Sequence, residues 1–236
     1  MAVIVDANIG DDILLSLEEK NIKYYKSFNI DYLYTPVNTH PDMQIHFVDD
    51  VTAVAAPIVY DYYKNLLPSF VKVIKGKSNP GSTYPYDIAY NVAKVGKKLI
   101  GKLSCVDDVI KDLYLEKGYE FIDVRQGYTK CNICIVDENS VITEDEGIFN
   151  TLMAKNIDVL KIQSGCISLP GFKNGFVGGA SGFISEKTLA FYGDLTKHPD
   201  YKKMKVFFER KDIDIIQLSS TKICDFGSIL HFRDCF

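Results

Sequence analysis

The cysteine pair Cys131-x-x-Cys134 is the most motif-like arrangement of reactive side chains in this sequence of 236 residues. Two thiols at this spacing form half of many zinc sites, but no second Cys or His pair with ligand spacing accompanies them. A redox-active pair would open a helix, whereas Ile133–Val136 has the β-branched pattern of a strand. The six cysteines are irregularly spaced, and a disulfide framework is not expected in a cytoplasmic chain. We therefore expect ordinary buried thiols.

Two further stretches resemble functional motifs only in composition. Gly178–Gly182 lacks the Gly-Lys-Ser/Thr ending and the following helix of a phosphate-binding loop. The acidic run Glu144-Asp145-Glu146 precedes a predicted helix, where negative charge complements the helix dipole. We expect close packing to explain the glycines and helix capping to explain the acids.

Charge and hydropathy exclude several classes of protein. The 31 acidic and 27 basic residues give a net charge of −4, whereas nucleic-acid-binding surfaces usually carry clustered Lys and Arg. No apolar run approaches the roughly 20 residues of a membrane span, and the first residues do not resemble a signal peptide. The sequence therefore predicts a cytoplasmic protein without a membrane or nucleic-acid partner. A chain of this size can bury enough surface to fold without disulfides, metal or cofactor, and none is expected.

A repeated order of predicted elements positions these side chains. Each repeat has a β-rich strand, a tight turn, a second strand, an amphipathic helix and a short third strand. The first strands are predicted at Met43–Val48, Ile88–Val92, Cys131–Val136, Gly175–Ile184 and Gly227–Phe232. The helices are predicted from Asp11 or Asp12 to Lys20 and at Ile58–Leu67, Asp107–Lys117, Gly147–Lys155 and Pro199–Lys211.

The fifth repeat is assembled from both ends of the chain. Gly227–Phe232 has no helix after it, and Ala2–Asp6 has no partner strand before it, so pairing them completes the unit. Such pairing would close a ring of five units and leave no free sheet edge. We therefore predict a single α/β domain over residues 1–236, a five-fold pseudosymmetric α/β propeller of ββαβ units. The alternative is an α+β protein whose hairpins are coincidental.

Five ββαβ units closed by the termini resemble the pentein superfamily of guanidino-group-modifying enzymes. That superfamily includes arginine and agmatine deiminases, dimethylarginine dimethylaminohydrolase and amidinotransferases. The resemblance covers essentially the entire chain and rests on the repeat period and on the five openings that lead into the first strands, His40–His46, Tyr84–Asn91, Tyr128–Cys134, Gly178–Gly182 and Cys224–Ser228. In the family, these openings converge on a pseudo-fivefold axis and line one substrate pocket.

The resemblance implies a set of ligand contacts in an axial pocket. Asp42 and Asp87 occupy equivalent positions, and two carboxylates facing one cavity suit a planar guanidinium ion. The alternative is that each begins a strand as an Asx turn. Lys130 adds a cation that suits an anionic or zwitterionic, amino-acid-like ligand, although most such lysines are solvated. The further predicted contacts are Asn91, Asn132 and Asp225.

The catalytic residues of the family are only partly matched. The resemblance implies a nucleophilic Cys from the last unit and a His from the third, but Thr129–Asn132 contains no His. Phe226 and Gly227 occupy the aligned Cys positions, and Cys224 lies one or two positions earlier. The catalytic pair is therefore predicted to be Cys224 with His40, which flanks the first opening.

Two functions remain open at this point. One is a divergent hydrolase or deiminase that acts on a small guanidino or amino-acid-like compound. The other is a non-catalytic propeller that serves as a binding or assembly module, since the fold also includes a ribosome anti-association factor. Fold alone does not decide between these functions. The oligomeric state is not predicted from the sequence.

Overall fold

The computed structural model describes residues 1–233 and contains five separate three-stranded sheets. With strands numbered in chain order, the first strands are β3 (Ile45–Asp49), β6 (Ala93–Val95), β9 (Ile133–Asp137), β12 (Ser181–Phe183) and β15 (Leu230–Phe232). The middle strands are β1 (Ala2–Val5), β4 (Thr52–Ala55), β7 (Lys98–Gly101), β10 (Ser140–Thr143) and β13 (Thr188–Phe191). The third strands are β2 (Lys23–Lys26), β5 (Lys72–Lys75), β8 (Glu120–Asp123), β11 (Asp158–Lys161) and β14 (Asp214–Gln217).

All five sheets repeat one pairing pattern. The middle strand pairs antiparallel with the first strand and parallel with the third. Parallel neighbours require a crossover connection, and a helix provides it in each unit. These helices are α1 (Asp11–Glu19), α2 (Tyr60–Leu66), α3 (Asp108–Glu116), α5 (Glu146–Met153) and α6 (Tyr201–Arg210), while the single turn α4 (Thr129–Asn132) precedes β9.

The two ends of the chain pair as the sequence predicts. β1 and β15 are antiparallel, with Ala2 opposite Phe232 and Ile4 opposite Leu230. All four residues of β1 are buried, which accounts for its continuous apolar sequence. The predicted pairing of the terminal strands is confirmed. Within residues 1–233 no sheet closes on itself, so a closed propeller stays a prediction.

All five predicted first strands begin too early, and those predicted from Met43 and Gly227 begin at Ile45 and Leu230. The predicted strand at Ile88–Val92 is wrong, because Asn91 N–H donates to Ile88 O at 3.0 Å in a turn. Cys131 lies in α4, and the strand begins only at Ile133. The strand predicted from Gly175 begins at Ser181, after glycines whose backbone lies close to its neighbours. The openings are therefore irregular loops and turns. Their side chains are not bound to the strict alternation between two faces that a strand imposes.

The helix starts follow side-chain capping in two of the units. The carboxylate of Asp107 accepts from Val109 N–H at 2.9 Å, and that of Asp145 accepts from Ile148 N–H at 2.8 Å. The prediction that Asp11 or Asp12 caps the first helix is wrong, because Gly10 is the N-cap residue and both acids lie in the first turn. Among residues 1–233, none of the helices is both long and apolar enough to span a membrane.

The cap at Asp145 gives a test of this local structure. Asp145→Ala leaves the Ile148 N–H of α5 without its partner and is expected to lower the free energy of unfolding by about 1 kcal/mol. Glu146→Ala is the matched control, because Glu146 is an exposed first-turn residue that caps nothing, and it should change stability by less than about 0.5 kcal/mol. Urea denaturation measures both, and equal effects would contradict the capping role.

Candidate functional site

The openings of four sheets meet in one buried cluster of polar side chains. Cys131 Sγ donates to Asp42 Oδ2 at 3.1 Å and accepts from Asn91 Nδ2 at 3.1 Å. Ser228 Oγ donates to the same Asp42 oxygen at 2.7 Å. Each of these side chains is at most 3% exposed. Residues separated by up to 186 positions are thus brought within hydrogen-bond distance.

The short turn α4 positions Cys131 because Asn91 fixes its N-terminal end. The side-chain oxygen of Asn91 accepts from the backbone N–H groups of Lys130 at 2.8 Å and Cys131 at 3.3 Å. The amide nitrogen of the same side chain donates to the thiol. One asparagine therefore caps the turn and orients the sulfur. The sequence analysis includes Asn91 among the ligand contacts, and the structure places it against the protein's own thiol.

The fourth opening contributes close backbone contact in place of reactive side chains. Gly179 N–H donates to Cys131 O at 2.7 Å. A Cβ atom on Gly178 would lie within 3.0 Å of the carbonyl oxygens of Lys130 and Ile133. Gly179 O in turn accepts from Ser228 N–H at 2.8 Å. The glycines therefore allow the third, fourth and fifth openings to converge, as the sequence analysis expects from close packing.

His40 and Asp225 complete the cluster from the first and fifth openings. His40 Nδ1 lies 4.0 Å from Asp225 Oδ1, and both side chains are at most 2% exposed. The two oxygens of Asp225 accept from Gly227 N–H and Phe176 N–H, each at 2.9 Å. One donor atom each from His40, Cys131 and Asp225 lies within 4.8 Å of the other two. The three openings therefore place an imidazole, a thiol and a carboxylate side by side.

The cluster contains more buried carboxylate than the protein itself neutralises. Burial raises the pKa of Glu144 to about 8 and that of Asp225 to about 6, with His40 opposing the second shift. Burial also raises the pKa of Asp87. Within residues 1–233, Asp42 Oδ1, Asp87 Oδ1 and both oxygens of Glu144 have no hydrogen-bond partner of normal geometry, although Val177 N–H is near enough to oppose the Glu144 shift. Such groups favour a cationic ligand.

Lys130 does not directly neutralise these buried carboxylates. Its ammonium group donates to Ser228 Oγ at 3.0 Å. Among the described residues it has no ion pair with a carboxylate within 4.0 Å. Ser228 separates Lys130 from the Asp42 carboxylate, which makes the lysine a neighbour of the cluster and leaves Asp42 Oδ1 available.

Asp87 and Asn132 form a second part of the site. Tyr128 Oη donates to Asp87 Oδ2 at 2.7 Å, and Asn132 Nδ2 donates to Tyr128 O at 3.1 Å. Asp87 Oδ1 and Asn132 Oδ1 are both buried and unpartnered among residues 1–233. Tyr128 therefore joins these two predicted ligand contacts, while Asp42 belongs to the group around Cys131.

The predicted catalytic pair is only partly inside this cluster. His40 is buried beside Asp225, but Cys224 is half-buried and its sulfur lies 3.8 Å from the backbone oxygen of Asp225. Burial, with the Asp225 charge second, raises the pKa of Cys224 to about 12. The thiol grouped with His40 is that of Cys131. Cys235 lies outside the described residues.

The placement of Glu144, Cys131 and Ser228 was not predicted from the sequence. The run at residues 144–146 was expected to cap a helix, but only Asp145 does so, while Glu144 is buried. One feature of the sequence could have indicated that Glu144 is buried. Glu144 directly follows the middle strand β10, as the buried Asp6 follows β1, and both positions recur at the same end of a sheet.

A cavity of about 1270 Å³ runs along the first strands of all five sheets. Asp42 and Lys130 line it near the openings, and Asp50, Glu138 and Glu186 line it at the hairpin turns. Its wall between these ends contains His46, Lys94, Ile135, Phe183 and His231. This central cavity meets the cluster at Asp42.

Thiol reactivity provides a direct check of this arrangement. Cys131 and Cys134 are buried and free, as the sequence predicts, and burial raises the pKa of both thiols. At neutral pH, iodoacetamide should therefore modify the half-buried Cys105 and Cys166 before Cys131, Cys134 or Cys224, since only thiolates react. Peptide mass spectrometry over time measures the order. Early modification of Cys131 would contradict the described burial.

Comparison with known proteins adds a family and a fold. Residues 4–230 match the model of a family of unknown function, DUF6873. No curated protein matches the sequence. Several solved structures match over nearly the entire chain, and their sequence identities of 10–14% make the likeness one of fold.

Three of these structures illustrate the likeness. An amidinotransferase of the saxitoxin biosynthetic pathway from Microseira wollei has 14% identity and a TM-score of 0.58, over 94% of this chain and 78% of that one. Agmatine deiminase from C. jejuni has 10% identity and a TM-score of 0.57, over 100% and 93%. A mutant DDAH from Pseudomonas aeruginosa, solved with citrulline, has 11% identity and a TM-score of 0.53, over 93% and 92%. The chain belongs to the DUF6873 family, and its fold is similar to that of these amidinotransferase, agmatine deiminase and DDAH structures.

Proposed function

We propose that this protein binds a small guanidino compound at the buried cluster formed by the strand openings. The observation that carries the proposal is the set of buried carboxylate oxygens on Asp42, Asp87 and Glu144 that lack partners among residues 1–233. A guanidinium ion is planar, permanently charged and carries five N–H donors, so it can satisfy several such oxygens at once. Asn91, Asn132, Asp225 and Lys130 are the other proposed contacts, with Lys130 directed to an anionic group of an amino-acid-like ligand.

Electrostatics supports a cationic ligand over a neutral one. Burial makes the ionised forms of Glu144 and Asp225 costly, which raises both pKa values, and a pKa of about 8 means that Glu144 holds a proton at neutral pH. A bound cation offsets that cost, favours the ionised form of both groups and would ionise Glu144. The structural neighbours include amidinotransferases and agmatine deiminase, whose names describe action on guanidino groups. They support the ligand class without identifying the compound.

The proposed architecture places this site on an axis. We propose that residues 1–233 form one domain in which the five sheets surround the central cavity, with β1 and β15 closing the ring. The contacts among the openings support this arrangement, since they join the first, second, third and fifth openings directly and the fourth through Gly179. A cytoplasmic location accords with free thiols at positions 131 and 134.

A thiol-dependent hydrolysis or deimination is the chemistry proposed for this ligand. Two thiols are candidates: Cys224 in the fifth opening and Cys131 in the third. The position of Cys131 supports it better, because a ring nitrogen of His40 lies within 4.8 Å of its sulfur. A bound guanidinium would lower the pKa of the thiol, and His40 would carry protons.

Binding without turnover is the second candidate function. It is favoured by the pKa of Cys131, which burial and then the Asp42 and Asp225 charges raise well above its ordinary value. A thiol in these surroundings stays protonated and is a weak nucleophile. The two functions share the ligand site and differ in whether product forms.

Thermal-shift measurements with arginine, agmatine, methylated arginines and citrulline test the proposal. A bound ligand at 100 times its Kd adds roughly 2.7 kcal/mol to the free energy of unfolding. We expect stabilisation by at least one guanidino compound and none by citrulline, whose ureido group is neutral. Assays for released ammonia, urea or amine then separate catalysis from binding. No stabilisation by any guanidino compound would overturn the proposed ligand class.

A further inference from the structure

The side chains of His40, Cys131 and Asp225 also have the composition of a metal-binding site. We propose that these three side chains bind a divalent zinc-type metal ion. Each residue offers one ligand atom, and the three atoms lie within 4.8 Å of one another. They come from three different openings, so the site exists only in the folded chain. This inference goes beyond the guanidino ligand proposed above.

The donor set selects the class of metal. Thiolate sulfur, imidazole nitrogen and carboxylate oxygen together suit zinc and its spectroscopic substitute cobalt. Magnesium and calcium prefer sets made only of oxygen. Three protein ligands with a fourth position open are also typical of zinc sites that hold water or a substrate. The site is unrelated to a Cys131-x-x-Cys134 zinc motif, since Cys134 is not part of the group.

The geometry requires only a small contraction around the ion. Ligand atoms around a tetrahedral zinc ion, with bonds of about 2.0–2.3 Å, are separated by about 3.3–3.8 Å. His40 Nδ1 and Asp225 Oδ1 are already 4.0 Å apart. Because Asp225 is held by the N–H groups of Gly227 and Phe176, the carboxylate is fixed before an ion arrives.

An unpartnered polar atom points to the same site. His40 is 2% exposed, and its Nδ1 has no hydrogen-bond partner among residues 1–233. A buried ring nitrogen in this state lacks the partner that native structures normally provide. A metal ion between His40, Cys131 and Asp225 would supply it.

Asp42 lies against the thiol of this group without belonging to the group. Its Oδ2 now accepts the Cys131 thiol proton at 3.1 Å, and its Oδ1 is unpartnered within the described part of the chain. When an ion binds, the thiol proton leaves to solvent and the sulfur binds as thiolate. Asp42 also lines the central cavity.

Metal binding and thiol attack by Cys131 exclude each other, because a metal-bound sulfur is not a free nucleophile. The two proposed sites share Asp225, so a bound ion would compete with the guanidino ligand there, whereas Asp87 and Glu144 do not belong to the metal group. Variants at these unshared residues therefore separate the two proposals. Asp87→Asn should weaken guanidino binding and leave metal binding unchanged.

Titration of the reduced, metal-free full-length protein with cobalt(II) tests the inference. We expect one equivalent to bind, with the visible bands of four-coordinate cobalt and a thiolate-to-cobalt charge-transfer band, and zinc should displace it. Cys131→Ser should abolish the charge-transfer band, and His40→Asn should weaken binding at least about 10-fold. Cys134→Ser is the matched control, because it removes a buried thiol three positions away and should leave the spectrum unchanged.

Circular dichroism and urea denaturation establish that each variant is folded before its spectrum is interpreted. Should Cys131→Ser fail to fold, the wild-type spectrum still decides. Cobalt that binds without a thiolate band would overturn the inference. So would a failure to bind cobalt or zinc at micromolar concentration, or a band that persists in Cys131→Ser and disappears in Cys134→Ser.

Discussion

Replacing Glu144 with glutamine is expected to stabilise the ligand-free protein at alkaline pH. At lower pH, the free energy of unfolding of the variant should depend less on pH than that of the wild type. The pKa of Glu144 rises from 4.5 to about 8 on folding because the side chain is buried. The folded protein therefore retains a proton that the unfolded chain has released. This contribution to stability is fully present below pH 4.5 and is lost as the pH rises through about 8.

The expected size of the loss is large for one side chain. A shift of this extent corresponds to on the order of 3–5 kcal/mol between the two limits. Glutamine has nearly the same shape and no ionisation, so the variant should not suffer the loss. Asp225 and Asp87 have raised pKa values as well, so they also lower the stability as the pH rises. Both are present in wild type and in Glu144→Gln, so the difference in free energy of unfolding between these two proteins isolates the effect of Glu144.

Urea denaturation of both proteins between pH 5 and pH 9 measures this difference. Glu146→Gln is the matched control, because Glu146 is exposed and lies two positions later in the same acidic run. The pH dependence of its stability should follow that of the wild type. The stability of Glu144→Gln relative to wild type should grow with pH up to about pH 8 and change little above it. Parallel profiles for wild type and Glu144→Gln would show that Glu144 is not a buried, unneutralised carboxylate.

Gly178→Ala is expected to lower the free energy of unfolding by about 3 kcal/mol. The added Cβ would lie within 3.0 Å of two backbone carbonyl oxygens, those of Lys130 and Ile133. Neither can rotate away as a flexible side chain would, so the third and fourth openings must separate. Because Gly178 O also lies 3.0 Å from Ser228 Oγ, the shift should disturb the cluster and weaken ligand binding.

Gly147→Ala provides the comparison for this substitution. Gly147 lies inside α5, where a Cβ would approach only the Asp145 carboxylate, at 3.2 Å. Alanine is favoured over glycine in a helix, which opposes the cost of this one approach, so the variant should differ from wild type by less than about 1 kcal/mol. Chemical denaturation of both variants gives the two values. A Gly178→Ala protein as stable as wild type would contradict the close approach of the openings.

The sequence predicted the repeat because its signals are local. Strand alternation, turn residues and helix caps such as Asp107 and Gly118 act within a few residues of their own positions, and the structure contains each of them. The pairing of β1 with β15 was also predictable, since each terminal segment alone is an incomplete unit. These features follow from patterns of period two and 3.6 and from turn chemistry.

The chemistry of the site was less predictable because it depends on contacts between distant openings. Asp42 and Asp87 were identified as candidates from their equivalent positions, but the contact between Cys131 and Asp42 spans 89 positions and has no local pattern. Glu144 was taken for part of a helix cap, and its burial distinguishes it from Asp145. Packing between units decides which polar residues lose their solvent, and one sequence does not carry that information.

The central claim is that the buried carboxylates bind a guanidino cation, and isothermal titration calorimetry tests it most directly. Arginine and agmatine are titrated near pH 7 in buffers of different ionisation enthalpy, with citrulline as the neutral comparison. We predict saturable binding of a guanidino compound with release of part of a proton, because the cation ionises Glu144, and no binding of citrulline. Equal binding of arginine and citrulline, or no binding of any guanidino compound, would contradict the account.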